Sequence, residues 1–387
     1  MSLPVPAPEQ LETSRKLSHL IRAEIEANTG WIPFARYMEL VLYAPGLGYY
    51  SGGAEKFGAG GDFVTAPEIS PLFGRALARQ FAQVLRQTGG GILELGAGTG
   101  LLAAQILDEL RAQDAEIPYS ILEVSGGLRA RQQETLQAFA GRVRWLDNLP
   151  EHFFGVIFGN EVLDALPVHL IHWTENGPME RGVRWEPAAP SPPLPAGGGK
   201  FAWQDRPIAD PALQDQARAL DLPAGYVSEI NLAAPALVKS LAERLESGLL
   251  LFVDYGFGRS EYYHPQRHMG TLRAHYRHHA LDDPFCLPGL CDLTAHVDFT
   301  AVADAGLKAG LDVCGYTTQA NFLLGAGITA LLAEMPADSA AAYLPLSAGV
   351  QKLLSPAEMG ELFKVIGMVK NAPCPSAFLF GDRRHRL

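Results

Sequence analysis

Residues Glu94, Gly96, Gly98 and Gly100 close the stretch "ILELGAGTG", an apolar run followed by glycines at alternate positions. Such a loop lets the backbone approach a nucleotide-like ligand closely at the end of a strand. A Walker loop is excluded because no Gly-Lys-Ser/Thr follows. A dinucleotide fingerprint needs its third glycine at position 101, where Leu101 stands. Glu94 narrows the choice further. Its carboxylate would repel a pyrophosphate, whereas S-adenosyl-L-methionine brings an ammonium and a sulfonium. An opposed charge pair and a like pair at about 4 Å differ by several kcal/mol even after solvent screening. The loop is therefore read as a site for S-adenosyl-L-methionine.

The polar residues farther along fit that ligand. Glu123 ends the second apolar strand, where an acid accepts hydrogen bonds from both ribose hydroxyls. Asp147 and Asn148 follow the third, within reach of an adenine amine. The fourth ends in "GNEVLDALP", which places Asn160, Glu161 and Asp164 beside the reacting sulfonium. Methyl transfer is an in-line displacement, so the protein must position a nucleophile and remove a proton. The Asn-Pro-Pro-aromatic pattern that holds planar amides and adenine nitrogens is absent. Two carboxylates suit instead a cationic acceptor, such as a guanidinium gripped through both nitrogens. Glu161 and Asp164 are the candidate catalytic residues. Two plainer roles stay open: Asp164 as the cap of a following helix, Glu161 as an ordinary surface acid.

Two further stretches hold candidates. "GLGYYSGGAEKFGAGGDFVTAPEISPLFG" is long, glycine-rich and aromatic, and its Asp62, Thr65 and Glu68 suit a loop over cofactor and substrate. The segment around His264, His268, His275 and His279 has the i, i+4 spacing of helical metal ligands. Its glycines and proline argue against one helix, so it reads as polar loop surface or substrate contact. Cys286, Cys291 and His296 lack the tight cysteine pair and fourth ligand of a zinc site. No metal is expected.

The elements that must position these residues alternate regularly. From Gly91 onward, strands such as "GILELGAG", "PYSILEVS", "RVRWLD", "FGVIFGNE" and "GLLLFVDYGF" are separated early on by helical stretches such as "GLLAAQILDELRAQ". That pattern predicts a doubly wound α/β fold with a parallel sheet, seven-stranded and class I methyltransferase-like. Residues 1–90 read as N-terminal helices plus the cover loop, and 91–387 as the cofactor-binding domain. Residues 168–206 interrupt it as a β-hairpin insertion around a Pro/Gly-rich tip, and 319–360 as a helical insertion. "ELFKVIGMVKN" and "SAFLFG" are predicted to form a closing antiparallel pair.

Composition limits the partners. A net charge of -11 argues against a broad phosphate-binding face, so no nucleic-acid partner is expected. Four cysteines without a paired framework suit a reducing compartment. The first residues lack the basic, apolar or arginine-rich pattern of a targeting peptide, and no run is long and apolar enough for membrane insertion. The expected location is cytoplasmic.

The motifs "LYAPGLGYY", "GDFVTAPEISPLFG", "ILELGAGTG", "GNEVLDALP", "VDYG", "GTLRAHYRHH", "DLTAHVDF" and "TTQANFLLGAG" cover nearly the whole length. Together they resemble the MidA family of S-adenosyl-L-methionine-dependent methyltransferases. Its mitochondrial members are complex I assembly factors that methylate an arginine of a core complex I subunit. The resemblance implies protein-arginine methylation, with a protein as partner and the "GDFVTAPEIS" loop covering cofactor and entrance. Methylation of a small molecule or another residue type stays open, as does an assembly factor that holds the cofactor with little catalysis.

Overall fold

A computed structural model of the chain describes residues 3–52, 64–187, 199–335 and 340–387. The chain forms two compact units. One comprises Glu55–Asp164, Ala234–Tyr262 and His296–Leu387, the other Met1–Ala54, Ala165–Ala233 and Tyr263–Ala295. These units do not follow a boundary at residue 90. The segment leading into the glycine loop belongs with the sheet, while the hairpin insertion belongs with the N-terminal helices.

The first unit is built on strands β1 (Gly91–Leu95), β2 (Tyr119–Leu122), β3 (Val143–Leu146), β4 (Phe153–Asn160), β5 (Leu245–Phe257), β6 (Asp312–Thr318) and β7 (Phe363–Lys370). Their order is β6-β7-β5-β4-β1-β2-β3. The five from β5 to β3 run parallel, and β7 lies antiparallel between β5 and β6. A two-residue strand, Val297–Asp298, adds to the end of β5. Strands covered on both faces need continuous apolar runs rather than alternation. Val156, Ile157 and Phe158 of β4 and Leu249 to Val253 of β5 meet that need, each at most 1% exposed. Helices Leu72–Thr88 and Leu101–Ala112 supply Phe73, Leu77, Phe81, Leu102, Ala103 and Ile106 to the same core. The helical insertion is present as Gln319–Gly325, Ile328–Ala333 and Ala340–Leu354.

The closing antiparallel pair differs from expectation. The partners of β7 are β5 and β6, and Ser376–Leu379 forms a turn of 3-10 helix. The reason is local. Phe378 is buried against Gly315 and Gly367, where a Cβ would come within 2.5 Å of its ring, so the two glycines leave the space it fills. The Ala377 amide is satisfied by Gln80 Oε1 at 3.0 Å instead of a neighbouring strand. Pro373 and Pro375, lacking amide hydrogens, cannot donate to a ladder.

The second unit contains helices Pro8–Ala27 and Phe34–Tyr43 and an antiparallel sheet that includes His169–Thr174, Gly177–Pro187, Gly199–Pro207 and Val227–Ile230. The hairpin insertion is thus realised as strands, and its Pro/Gly-rich tip, 188–198, lies outside the described residues. Leu17, Ile21 and Ile25 of the first helix pack with Phe34, Tyr37 and Val41 of the second. The histidine-rich segment is not helical. Arg273–Tyr276 and His279–Leu281 pair as a hairpin, so His275 and His279 lie on opposed strands, and His264 precedes a short 3-10 turn. Among the described residues no group of three or more His, Cys, Asp or Glu could hold a metal. Nor, among them, is any helix long and apolar enough to cross a membrane.

Candidate active site

The glycine loop leaves β1 with φ +60° at Gly96, +52° at Gly98 and +81° at Gly100. This left-handed backbone suits residues without a Cβ and turns the chain sharply into the helix that begins at Leu101. Gly100 also lies against Gln132, whose Cα would be 3.3 Å from an added Cβ. The loop faces the end of β4, since a Cβ on Gly96 would come to 3.4 Å from Val162.

Glu94 lies at the end of β1 and is 2% exposed. The Tyr119 hydroxyl donates to its Oε2 at 2.7 Å. Burial pushes the Glu94 carboxyl up to about 8, offset by the Tyr119 hydrogen bond and reinforced by the charge of Glu123. Among the described residues no basic side chain contributes to that balance, which suits an incoming cation. Glu123 is also raised by burial, against hydrogen bonds from the Ser125 amide at 2.8 Å and Gln132 Nε2 at 2.9 Å.

Gln132 was not legible in the sequence. Fully buried, it donates to both the Gly98 carbonyl and Glu123 and accepts from Trp145 Nε1 at 3.0 Å. One amide thereby ties the glycine loop to the ends of β2 and β3. Val124, next to Glu123, is 81% exposed. Asp147 and Asn148 lie exposed after β3, with Asp147 paired to Arg129 at 2.6 Å.

At the end of β4 the chain turns through Glu161, which has φ +55°. A residue with a Cβ is strained there, and such strain persists only where the surroundings enforce it. Two neighbours do so. The Glu161 amide donates to the Val253 carbonyl at 2.8 Å. Asp254, fully buried on β5, accepts through Oδ2 from the Val162, Leu163 and Asp164 amides at 3.1, 2.8 and 3.4 Å. Asp254 anchors the loop that carries both candidate catalytic acids. The only sequence signal for it was the "VDYG" motif.

Burial pushes the Glu161 carboxyl up to about 8, reinforced by Asp164 and Glu68 and opposed by hydrogen bonds from Asn160 and the Ala66 amide. Asn160 donates to Glu161 Oε1 at 3.0 Å, and its own Oδ1 is buried without a hydrogen-bond partner among the described residues. Asp164 caps no helix. No helix follows it, and it accepts from the Tyr255 hydroxyl at 2.5 Å. Asp254 is raised well above the carboxylate range by burial and by the charges of Asp164 and Glu161. The contact from Ala66 brings the "TAPEIS" turn to this cluster. There Glu68 accepts from the Thr65 amide at 3.2 Å and closes a one-turn helix, Ala66–Ile69. Asp62 lies outside the described residues.

A parallel sheet of this order with one antiparallel strand inserted, and a glycine loop leaving its first strand, is the architecture of class I S-adenosyl-L-methionine-dependent methyltransferases. The family model for S-adenosyl-L-methionine-dependent methyltransferases matches residues 76–317. A protein arginine methyltransferase NDUFAF7 homolog of Drosophila melanogaster is 30% identical, over 94% of this chain and 88% of its own. The Danio rerio protein arginine methyltransferase NDUFAF7 is 30% identical, over 89% and 85%. A candidate methyl transferase from Burkholderia thailandensis, solved with S-adenosyl-homocysteine bound, superposes with a TM-score of 0.94 at 52% identity over 100% of both chains. The chain belongs to the MidA family of S-adenosyl-L-methionine-dependent methyltransferases. The site fits that cofactor: among the described residues it has a buried acid without a basic neighbour in its balance, an unpartnered buried amide oxygen, and a left-handed glycine cradle.

Proposed function

We propose that the enzyme methylates an arginine side chain of a protein substrate. The observation that carries this reading is the cluster of Glu161, Asp164, Asp254 and Glu68, in which Glu161 is raised first by burial and then by the charges of Asp164 and Glu68. A cation entering the site relieves that repulsion, and a guanidinium offers parallel N–H groups to a carboxylate. The curated relatives above are named protein arginine methyltransferases, which supports the same acceptor. A respiratory complex I subunit is the first acceptor to test, and the cytoplasm is the proposed location.

Bound S-adenosyl-L-methionine supplies a methyl group activated by a sulfonium. In the proposed arrangement Glu94 faces the ammonium, and Gly96, Gly98 and Gly100 let the backbone approach. Glu123 accepts from the ribose hydroxyls, Asp147 and Asn148 lie on the adenine side, and Val124 offers the base an apolar surface. Asn160 presents its free amide oxygen next to the reacting centre. Glu161 grips and orients the guanidinium and biases the attacking nitrogen, with Asp164 held by Tyr255 as a second acid. Thr65 and Glu68 cover the entrance.

Two outcomes follow. Glu123→Ala is expected to weaken binding of S-adenosyl-L-methionine and S-adenosyl-homocysteine equally, by about 2–4 kcal/mol, because the ribose is common to both. Calorimetric titration checks this, and a loss confined to one ligand refutes the ribose role. The second concerns pH. Glu161 must be ionised to hold a cation and accept a proton, and its carboxyl is raised to about 8. The transfer rate at low acceptor concentration should therefore fall about tenfold per pH unit below that value and level off above it. A profile flat between neutral pH and mild alkali contradicts the assignment.

The acceptor class is tested by incubating the protein with radiolabelled cofactor and a cell lysate, then separating the products by size. Label in macromolecules supports the proposal. Label confined to small molecules refutes it, and absence of label points to cofactor binding without transfer.

A further inference from the structure

Cys314 and Cys374 form a thiol pair that methyl transfer does not use. Cys314 lies in β6 where the register against β7 slips between Val313 and Gly315, so it is the extra residue of a bulge. A bulge re-aims its side chain. The Cys314 sulfur lies over Gly367 of β7, 3.2 Å from where a Cβ would stand. Cys374 follows β7 in the sequence "NAPCPS", where prolines on both sides stiffen the backbone. Its Sγ donates to the Cys314 carbonyl oxygen at 3.2 Å, which brings the two cysteines together.

The partners are unequal. Cys374 is exposed and Cys314 half-buried. Its neighbour Cys314 holds Cys374 below its ordinary value, helped by the Arg384 guanidinium and opposed by burial and the Asp382 charge, whereas the Cys374 thiol and burial raise Cys314. Arg384 is fixed by its donation to the Val313 carbonyl at 3.2 Å. An exposed thiol beside a cation is the nucleophile of such a pair, and its sheltered neighbour resolves the product. In a second pair, Cys286 with Cys291, the balance runs the other way, because the lowering by Cys291 is outweighed. Burial and the Asp283 charge push Cys286 up, which keeps it a thiol.

We infer that Cys374 and Cys314 are a reversible dithiol–disulfide modification site whose co-reactant is a small disulfide of the glutathione class. The Cys374 thiolate attacks one sulfur of the disulfide, forming a mixed disulfide and releasing one thiolate. Cys314 gives up its proton and attacks the Cys374 sulfur, closing the protein disulfide and releasing the second thiolate. Two electrons leave the dithiol, and one disulfide becomes two thiols. The bond closes a loop of 60 residues and ties β6 to the segment leaving β7, so the oxidised enzyme should melt at a higher temperature than the reduced one.

The test is to titrate the full-length protein with oxidised against reduced glutathione and map disulfides by peptide mass spectrometry. The expected first product is the Cys314–Cys374 disulfide, formed before any change at Cys286 and reversed by dithiothreitol with return of the melting temperature. Cys314→Ser should instead accumulate glutathione on Cys374, and Cys374→Ser should show neither product. Oxidation of Cys286 ahead of Cys374 overturns the inference, as does stable glutathionylation of wild-type Cys374 without ring closure.

Discussion

Glu161→Gln is expected to lower methyl transfer by about two orders of magnitude or more while leaving cofactor affinity nearly unchanged, the scale for losing one positioned acid–base group. Glutamine keeps the shape of the side chain and the hydrogen bonds that fix its backbone. What it removes is the charge that complements a guanidinium. The loop should survive the change, because Asp254 grips the Val162, Leu163 and Asp164 amides and the Val253 carbonyl holds residue 161 itself. Asp164→Asn should cost less, since asparagine can still accept from the Tyr255 hydroxyl. The measurement is cofactor affinity and transfer rate for both variants against one acceptor. Unchanged turnover in Glu161→Gln moves the chemistry elsewhere.

Glu94→Gln is expected to abolish cofactor binding and, in the same molecule, to stabilise the cofactor-free protein at alkaline pH. The carboxyl titrates at about 8 in the folded state against an ordinary value of 4.5. The folded state therefore holds the proton more tightly than the unfolded one. That contribution is fully present below the ordinary value and is lost as pH rises toward 8. At pH 8 the neutral amide should recover up to about 4 kcal/mol, an upper bound from the shift itself. Thermal unfolding between pH 5 and 8 reads the stability, and calorimetry reads the affinity. Gly98→Val should also lose the cofactor, but with a fall in stability, because a β-branched residue is strained at φ +52°. Near-normal affinity in both variants would remove Glu94 and Gly98 from the cofactor site.

Much of the fold was legible because its signals are local. Buried parallel strands are written as apolar runs, and "ILELGAGTG" marks a loop where three glycines alternate after an acid. The two antiparallel partners of β7 were not legible. "SAFLFG" carries as strong a strand pattern as any, and only the space above Gly315 and Gly367 turns Phe378 into a plug. At the site, residue types pointed to the acids but not to what holds them. Gln132, Tyr119 and Asp254 act through partners distant in sequence, and a glutamine in "RARQQETL" looks like any helix-surface residue. The positive φ of Glu161 is likewise invisible in its identity.

Residue-level analysis of the labelled acceptor tests the central claim most directly. Protein labelled by wild-type enzyme with methyl-radiolabelled S-adenosyl-L-methionine is hydrolysed, and its amino acids are separated against methylated standards. The account predicts that the label co-migrates with N-methylated arginine and is lost with Glu161→Gln. Label on lysine, on a carboxyl ester or on a non-protein product, or label undiminished by that substitution, would contradict it.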